Sequence, residues 1–142
     1  MISISDFHFK TAIPVRFADI DAFGHVNNAV YMTYFEIARS NYWDEIVHWD
    51  WEQMGIIIGR AEINYLKPIT LKDRVYAYVR TARIGKSSFD LDYALVKLGH
   101  GEEILCTTGS TSCITFDYRL NASAPIPEAH RLKMLEFEAL EV

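Results

Sequence analysis

Cysteine is scarce in this chain. Cys106 and Cys113 are the two in 142 residues, too few for a disulfide framework. If both sit in one strand, their spacing sets them roughly 23 Å apart on opposite faces, beyond the Cα limit of about 7 Å for a bridge. Two buried free thiols are expected. The five histidines (His8, His25, His48, His100 and His130) are scattered and show no metal-ligand spacing with the cysteines, so no metal is expected. No apolar run approaches the length of about 20 residues that crosses a bilayer, so no membrane partner is expected. Residues 1–10, with Asp6, His8 and Lys10, lack the apolar stretch of a signal peptide, and a cytoplasmic location is the default expectation. An excess of positive charge is also missing. The net charge of -5 argues against non-specific nucleic-acid binding, which relies on Lys and Arg neutralising phosphates. It leaves room for a small anionic ligand at a local cluster such as Arg83 and Lys86.

What is present is a folded composition, 50% hydrophobic, 13% aromatic and 23% charged, long enough for one domain with a real core. There is no internal repeat and no linker, so residues 1–142 are read as one domain. A first strand is expected over about residues 8–17, with Pro14 assigning it to an edge or an irregularity. Helical spacing runs from about Ala29 to Val47. Tyr31, Tyr34, Phe35, Ala38, Tyr42 and Ile46 form a wide aromatic stripe opposite Thr33, Glu36, Ser40 and Asp44. Residues 48–53 connect to four strands, over about 56–66, 73–84, 87–98 and 102–118. Gly85-Lys86 and Gly99-His100-Gly101 mark turns. The last strand is rich in Thr, Ser, Gly and Cys, so another element can approach it closely. Pro127 starts a short helix with Leu132, Leu135 and Phe137 on its apolar side. The order implies an α+β fold with one antiparallel sheet wrapped around one long helix. The opposite sheet face carries Tyr76 and Tyr78, which makes self-association a physical expectation.

Chemistry concentrates in one stretch. From Asp19 to Asn28 the chain places two carboxylates, a glycine, a histidine and two asparagines directly before the long helix. Gly24 supplies freedom for positive φ, and Asn27 or Asn28 supplies a cap. A helix start offers free N–H groups and the positive end of a dipole.

These residues resemble those of the hotdog-fold acyl-CoA thioesterases, in the branch that includes 4-hydroxybenzoyl-CoA thioesterase. The resemblance rests on Arg16 to Asn28 with Tyr31 and Tyr34-Phe35-Glu36, on Ile63 to Ile69 with Asp73-Arg74-Val75, and on Arg83 to Phe89. It spans about residues 8–118. It implies a five-stranded or longer sheet around a central helix, and a homodimer or homotetramer with active sites at the dimer interface. It implies hydrolysis of a thioester of coenzyme A or acyl carrier protein, without a bound cofactor.

Asp21 matches the catalytic aspartate of that family. A carboxylate there acts either as a general base on water or as a nucleophile giving a mixed anhydride; the plain alternative is a loop aspartate capping its turn. A backbone N–H matching Asn28 would polarise the thioester carbonyl. His25 sits in a segment similar to the His-Val-Asn-Asn of plant acyl-ACP thioesterases, where the matching histidine is an active-site residue. The asparagine two positions after the aspartate in those enzymes is Phe23 here. His25 is either an orienting group or a loop hydrogen-bonder. Phe23, Gly24 and Tyr31 are expected near the substrate. The resemblance puts Ser87 and Ser88 near the thioester or pantetheine, from the same or the partner subunit, with Arg83 and Lys86 as candidates for the nucleotide phosphates. Asp19 is expected to structure the loop or lie solvated, Glu36 to be a solvated or structural helix residue, and Glu62 and Asn64 to belong to the sheet or an interface.

Overall fold

The computed structural model describes residues 2–140. Six strands form one antiparallel sheet: β1 (Phe9–Ile13), β2 (Gly55–Tyr65), β3 (Val75–Ile84), β4 (Ser88–Gly99), β5 (Glu102–Asp117) and β6 (Ala122–Ser123). The main order is β1-β3-β4-β5-β2, with the short β6 also pairing with β5. The helices are α1 (Val30–Tyr42) and α2 (Glu128–Glu138). A π turn over Trp43–Val47 prolongs α1, and His48 ends it at φ 55° in the left-handed region. The helical periodicity read over 29–47 therefore covers two kinds of helix.

Alternation in β4 and β3 decides which face meets α1. Phe89, Leu91, Tyr93 and Leu95 are fully buried, as are Ala77 and Val79 beside them. Tyr31, Tyr34, Phe35, Ala38 and Tyr42 of α1 join them in one core. The small residues of β5 admit the helix, as expected. Phe35 stacks on Tyr93 at 4.3 Å, and a Cβ on Gly109 would collide with the Phe35 ring and lie 2.7 Å from the Glu62 carbonyl oxygen.

Three expectations change. The first strand stops at Ile13, because Pro14 has no N–H to continue the ladder; it does lie at an edge. The cysteines do not face opposite sides. A bulge pairs Leu95 with Thr107 but Val96 with Leu105, so Cys106 is the extra residue and turns inward. Both thiols are free and join the same core cluster. The Tyr76–Tyr78 face is not bare. Lys10 lies over both rings, Tyr78 donates a 2.6 Å hydrogen bond to Glu103, and Lys10 pairs with Glu103 at 2.6 Å. The sheet has six strands, in keeping with the five or more expected; the sixth, β6, has two residues, too few to show a period.

Candidate functional site

The polar stretch folds as a small closed loop at the start of α1. Its base is an antiparallel bridge between Ile20 and Val26. The Asn27 N–H donates to the Asp19 carbonyl at 2.8 Å, and the Val26 N–H donates to the Ile69 carbonyl at 2.8 Å. Gly24 makes the turn at φ 84°.

Asp19 anchors that base. Only 1% exposed, its carboxylate accepts from the Arg16 backbone N–H at 2.9 Å, from Arg16 Nε and Nη2 at 3.0 and 2.8 Å, and from the Tyr34 hydroxyl at 2.7 Å. Burial pushes its pKa up, but the bonds from Arg16 and Tyr34 together outweigh that and hold it below the usual carboxylate range. Asp19 is thus a structuring group, not a solvated one.

Asp21 sits at the loop's tip. Its Oδ1 accepts from the Phe23 N–H at 2.8 Å and, more weakly, from the His25 N–H at 3.4 Å. Its own N–H donates to the His25 carbonyl at 2.8 Å. Among the described residues no donor meets Oδ2, so half of this part-exposed carboxylate is uncommitted. Phe23 is 86% exposed, and His25 is exposed beside it.

The helix start lies next in sequence and in space. The N-cap of α1 is Ala29, with no side-chain cap, and not Asn27 or Asn28 as expected; Asn27 Oδ1 accepts from the Ala29 N–H at 2.9 Å and so shapes the turn just ahead of the helix. The Asn28 N–H meets no acceptor among the described residues. The Asn28 carbonyl accepts from the Tyr65 hydroxyl at 2.7 Å, which fixes the orientation of that residue. Tyr65 in turn packs edge-on against buried Tyr31 at 5.0 Å. Both rings line a shallow cleft of about 240 Å³ with Leu66, Lys67 and Pro68. Burial raises the Tyr31 pKa, so its phenol stays protonated. Sequence reasoning missed Tyr65 as a contact of the helix start; its position in the Ile63–Ile69 segment was the available signal.

The other candidates lie elsewhere in the protomer. Tyr65 is opposite Thr107, and Ser88 is opposite Ile114, so roughly 23 Å of strand separates the two ends. The 83–88 turn is tied down from outside. Arg131 donates to the Gly85 carbonyl at 2.6 Å, the Ile126 N–H donates to the Lys86 carbonyl at 2.9 Å, and Thr115 Oγ1 donates to the Ser87 carbonyl at 3.1 Å. Arg83 spends its charge on Asp90 at 2.8 Å and reaches Ser88 Oγ at 3.3 Å. Lys86 alone of this group is an exposed cation with no ion pair among the described residues. Glu36 is exposed on the helix, as expected. Glu62 pairs with Arg60 at 3.0 Å on β2, and Asn64 bonds to Thr108 at 3.3 Å. Among the described residues no three His, Cys, Asp or Glu side chains group as metal ligands, and no helix is long and apolar enough to cross a membrane.

Known proteins resemble this chain in sequence and in fold. The chain is 31% identical over 107 residues to the uncharacterized protein YsmA of Bacillus subtilis, covering 75% of this chain and 71% of that one. It is 27% identical over 138 residues to the chloroplastic acyl-acyl carrier protein thioesterase ATL3 of Arabidopsis thaliana, covering 94% of this chain and 70% of that protein. A thioesterase of Thermus thermophilus, solved with coenzyme A and Zn, superposes with a TM-score of 0.82 at 32% identity, over 98% of this chain and 100% of that one. The family profile of the thioesterase-like superfamily matches residues 15–134. With its curled antiparallel sheet around a central helix, the chain belongs to the thioesterase-like superfamily and has the hotdog fold.

Proposed function

We propose that the protein hydrolyses the thioester of an acyl-CoA, giving a free acid and a thiol. The observation that carries this reading is the pairing of a half-free carboxylate, Asp21, with an unoccupied N–H at a helix start, Asn28. Asp21 Oδ2 either takes a proton from the attacking water or attacks the carbonyl carbon itself. The Asn28 N–H, at the positive end of α1, receives the developing oxyanion. His25 and Phe23 flank the reacting group, His25 as a hydrogen-bonding partner and Phe23 as an apolar cover.

A homodimer supplies the remaining parts. β2 is an edge strand with one side of its ladder unpaired, a template for pairing with a second strand. Antiparallel pairing of two β2 edges would bring the 83–88 turn of one copy to the same end of the joined sheet as the Asp21 loop of the other. Ser87, Ser88 and Lys86 would then serve the pantetheine and phosphates, with Arg83 holding the turn through Asp90. A carrier-protein thioester fits the same chemistry, in line with the plant relative.

The test is hydrolysis of an acyl-CoA panel, including an aryl-CoA, followed by free-thiol release. Asp21→Asn should fold as the wild type does and lose most of the rate; full activity in that variant would sink the assignment. The exposed Phe23, where related enzymes carry asparagine, favours a second reading, a module that binds acyl-CoA without turnover. Tight binding with no hydrolysis at any chain length would select it.

A further inference from the structure

Arg39 is out of keeping with its surroundings. It lies on α1 among core residues and is 9% exposed. Its one ion pair among the described residues is a loose 3.9 Å contact with Glu36, whose side chain is 66% exposed. Its Nη1 is buried without a hydrogen-bond partner. One turn on, the indole Nε1 of Trp43 is buried and unpartnered too. A buried guanidinium this poorly paired is costly unless an acceptor completes it. Arg39 also counters part of the upward push that burial gives the Tyr93 phenol, at about 12.

Both residues line a cleft of about 290 Å³ between α1, the π turn and β2. Glu36, Ser40 and Trp51 form its rim, and Ile56 and Ile58 of β2 form an apolar wall. The two orphaned donors belong to residues that line this cleft beside the exposed Glu36 and Trp51.

The cleft is in line with the helix start. Asn28, Met32, Glu36, Arg39 and Trp43 follow one another at spacings of four, four, three and four, which sets them along one helix stripe. Eleven residues separate Asn28 from Arg39, roughly 16 Å along the axis. That is the reach of a long acyl chain, not of a short one or a single ring. The stripe joins an oxyanion donor at one end to a pair of unsatisfied N–H donors at the other, with apolar β2 side chains alongside.

We propose that this cleft binds a carboxylate at the far end of the acyl chain, so that the preferred substrate is the thioester of a long dicarboxylic acid. The proposal rests on the thioesterase reading for its substrate. A carboxylate matches the planar fork of Arg39, accepts from Trp43 Nε1 and Ser40 Oγ, and displaces the loosely held Glu36.

The test compares kcat/KM for a long ω-carboxyacyl-CoA with that for the unsubstituted acyl-CoA of equal length. The wild type should favour the ω-carboxyl substrate. Arg39→Met should lower the ratio of the two about tenfold or more, Trp43→Phe should lower it less, and Glu36→Gln should raise it. Replacing a poorly paired buried ion by an apolar group of similar volume is commonly tolerated. Should Arg39→Met nonetheless not fold, Arg39→Lys, which keeps charge but loses the fork, should lower the ratio. A ratio that Arg39→Met leaves unchanged overturns the proposal, as does a changed oligomeric state with the ratio intact. Hydrolysis of both substrates without preference defeats this inference and leaves the thioesterase reading standing. If neither is hydrolysed, equilibrium binding to the Asp21→Asn protein separates the two. Tighter binding of the ω-carboxyl thioester, lost when Arg39→Met is added, would uphold the cleft and defeat the enzyme.

Discussion

The base and the tip of the loop before α1 hold two aspartates two residues apart in opposite conditions. At the base, Asp19 is buried and accepts from four donors. At the tip, Asp21 is part-exposed and only one of its oxygens is committed. The difference teaches how a polar loop can hold one carboxylate fast and leave part of another open. Asp19 ties the loop to Arg16 and, through Tyr34, to the second turn of α1. The tip can then be left unsatisfied without the loop losing its shape.

The largest expected effect lies at the tip and concerns rate alone. Asp21→Asn should reduce kcat/KM about 10²- to 10⁴-fold, the range of a lost general base, with little change in the thermal midpoint. A comparable loss of stability in this variant would break the contrast with Asp19. The next effect lies at the base and concerns stability. Asp19→Ala strands the Tyr34 hydroxyl and the Arg16 N–H, and denaturant unfolding should show a loss of about 2–4 kcal/mol.

The pH dependence follows the same division. The folded-state pKa of Asp19 is held below its ordinary value of about 3.9. Its stabilisation is therefore present above about pH 4 and is lost as pH falls through the depressed folded value. Asp19→Asn should flatten that acid limb in pH-resolved unfolding.

A third site tests the seat shared by base and tip. Gly109→Ala forces the Phe35 ring and the Glu62 carbonyl apart and should cost about 1–3 kcal/mol by overpacking, lifting α1 and lowering activity with it. Wild-type stability here would mean that the helix seat is looser than the packing of Phe35 on Tyr93 indicates. Smallest is Tyr34→Phe, which removes one of four donors to Asp19. It should cost about 1 kcal/mol and move acid unfolding to a slightly higher pH, while leaving the bonds at Asp21 in place.

Much of this was legible in the residues. The three-and-four spacing of Tyr31, Tyr34, Phe35, Ala38 and Tyr42 defined the helix face, and the alternation of Phe89, Leu91, Tyr93 and Leu95 defined the sheet face, because burial imposes those periods directly. Gly24 announced the turn, since its positive φ meets a local backbone need. The assignment of Asp21 over Asp19 came from resemblance, and the hydrogen-bond geometry then showed what distinguishes them. Other features had no local signal. The bulge at Cys106 depends on the register with β4. The bond from Tyr65 to Asn28 joins residues 37 positions apart. Arg39 carries a charge that no local spacing sends inward, and only packing put it in the core.

The amino-acid pattern by itself therefore determined the order of the elements, the face of each that is buried, and the loop that gathers the polar groups. These depend on neighbours along the chain and on the hydrophobic periodicity. Tertiary structure decided which carboxylate is fully committed and which only in part, how far the 83–88 turn stands from the loop within one protomer, and that a cation is left poorly paired beside β2. Those outcomes depend on which distant groups meet and in what register, and no local spacing encodes them.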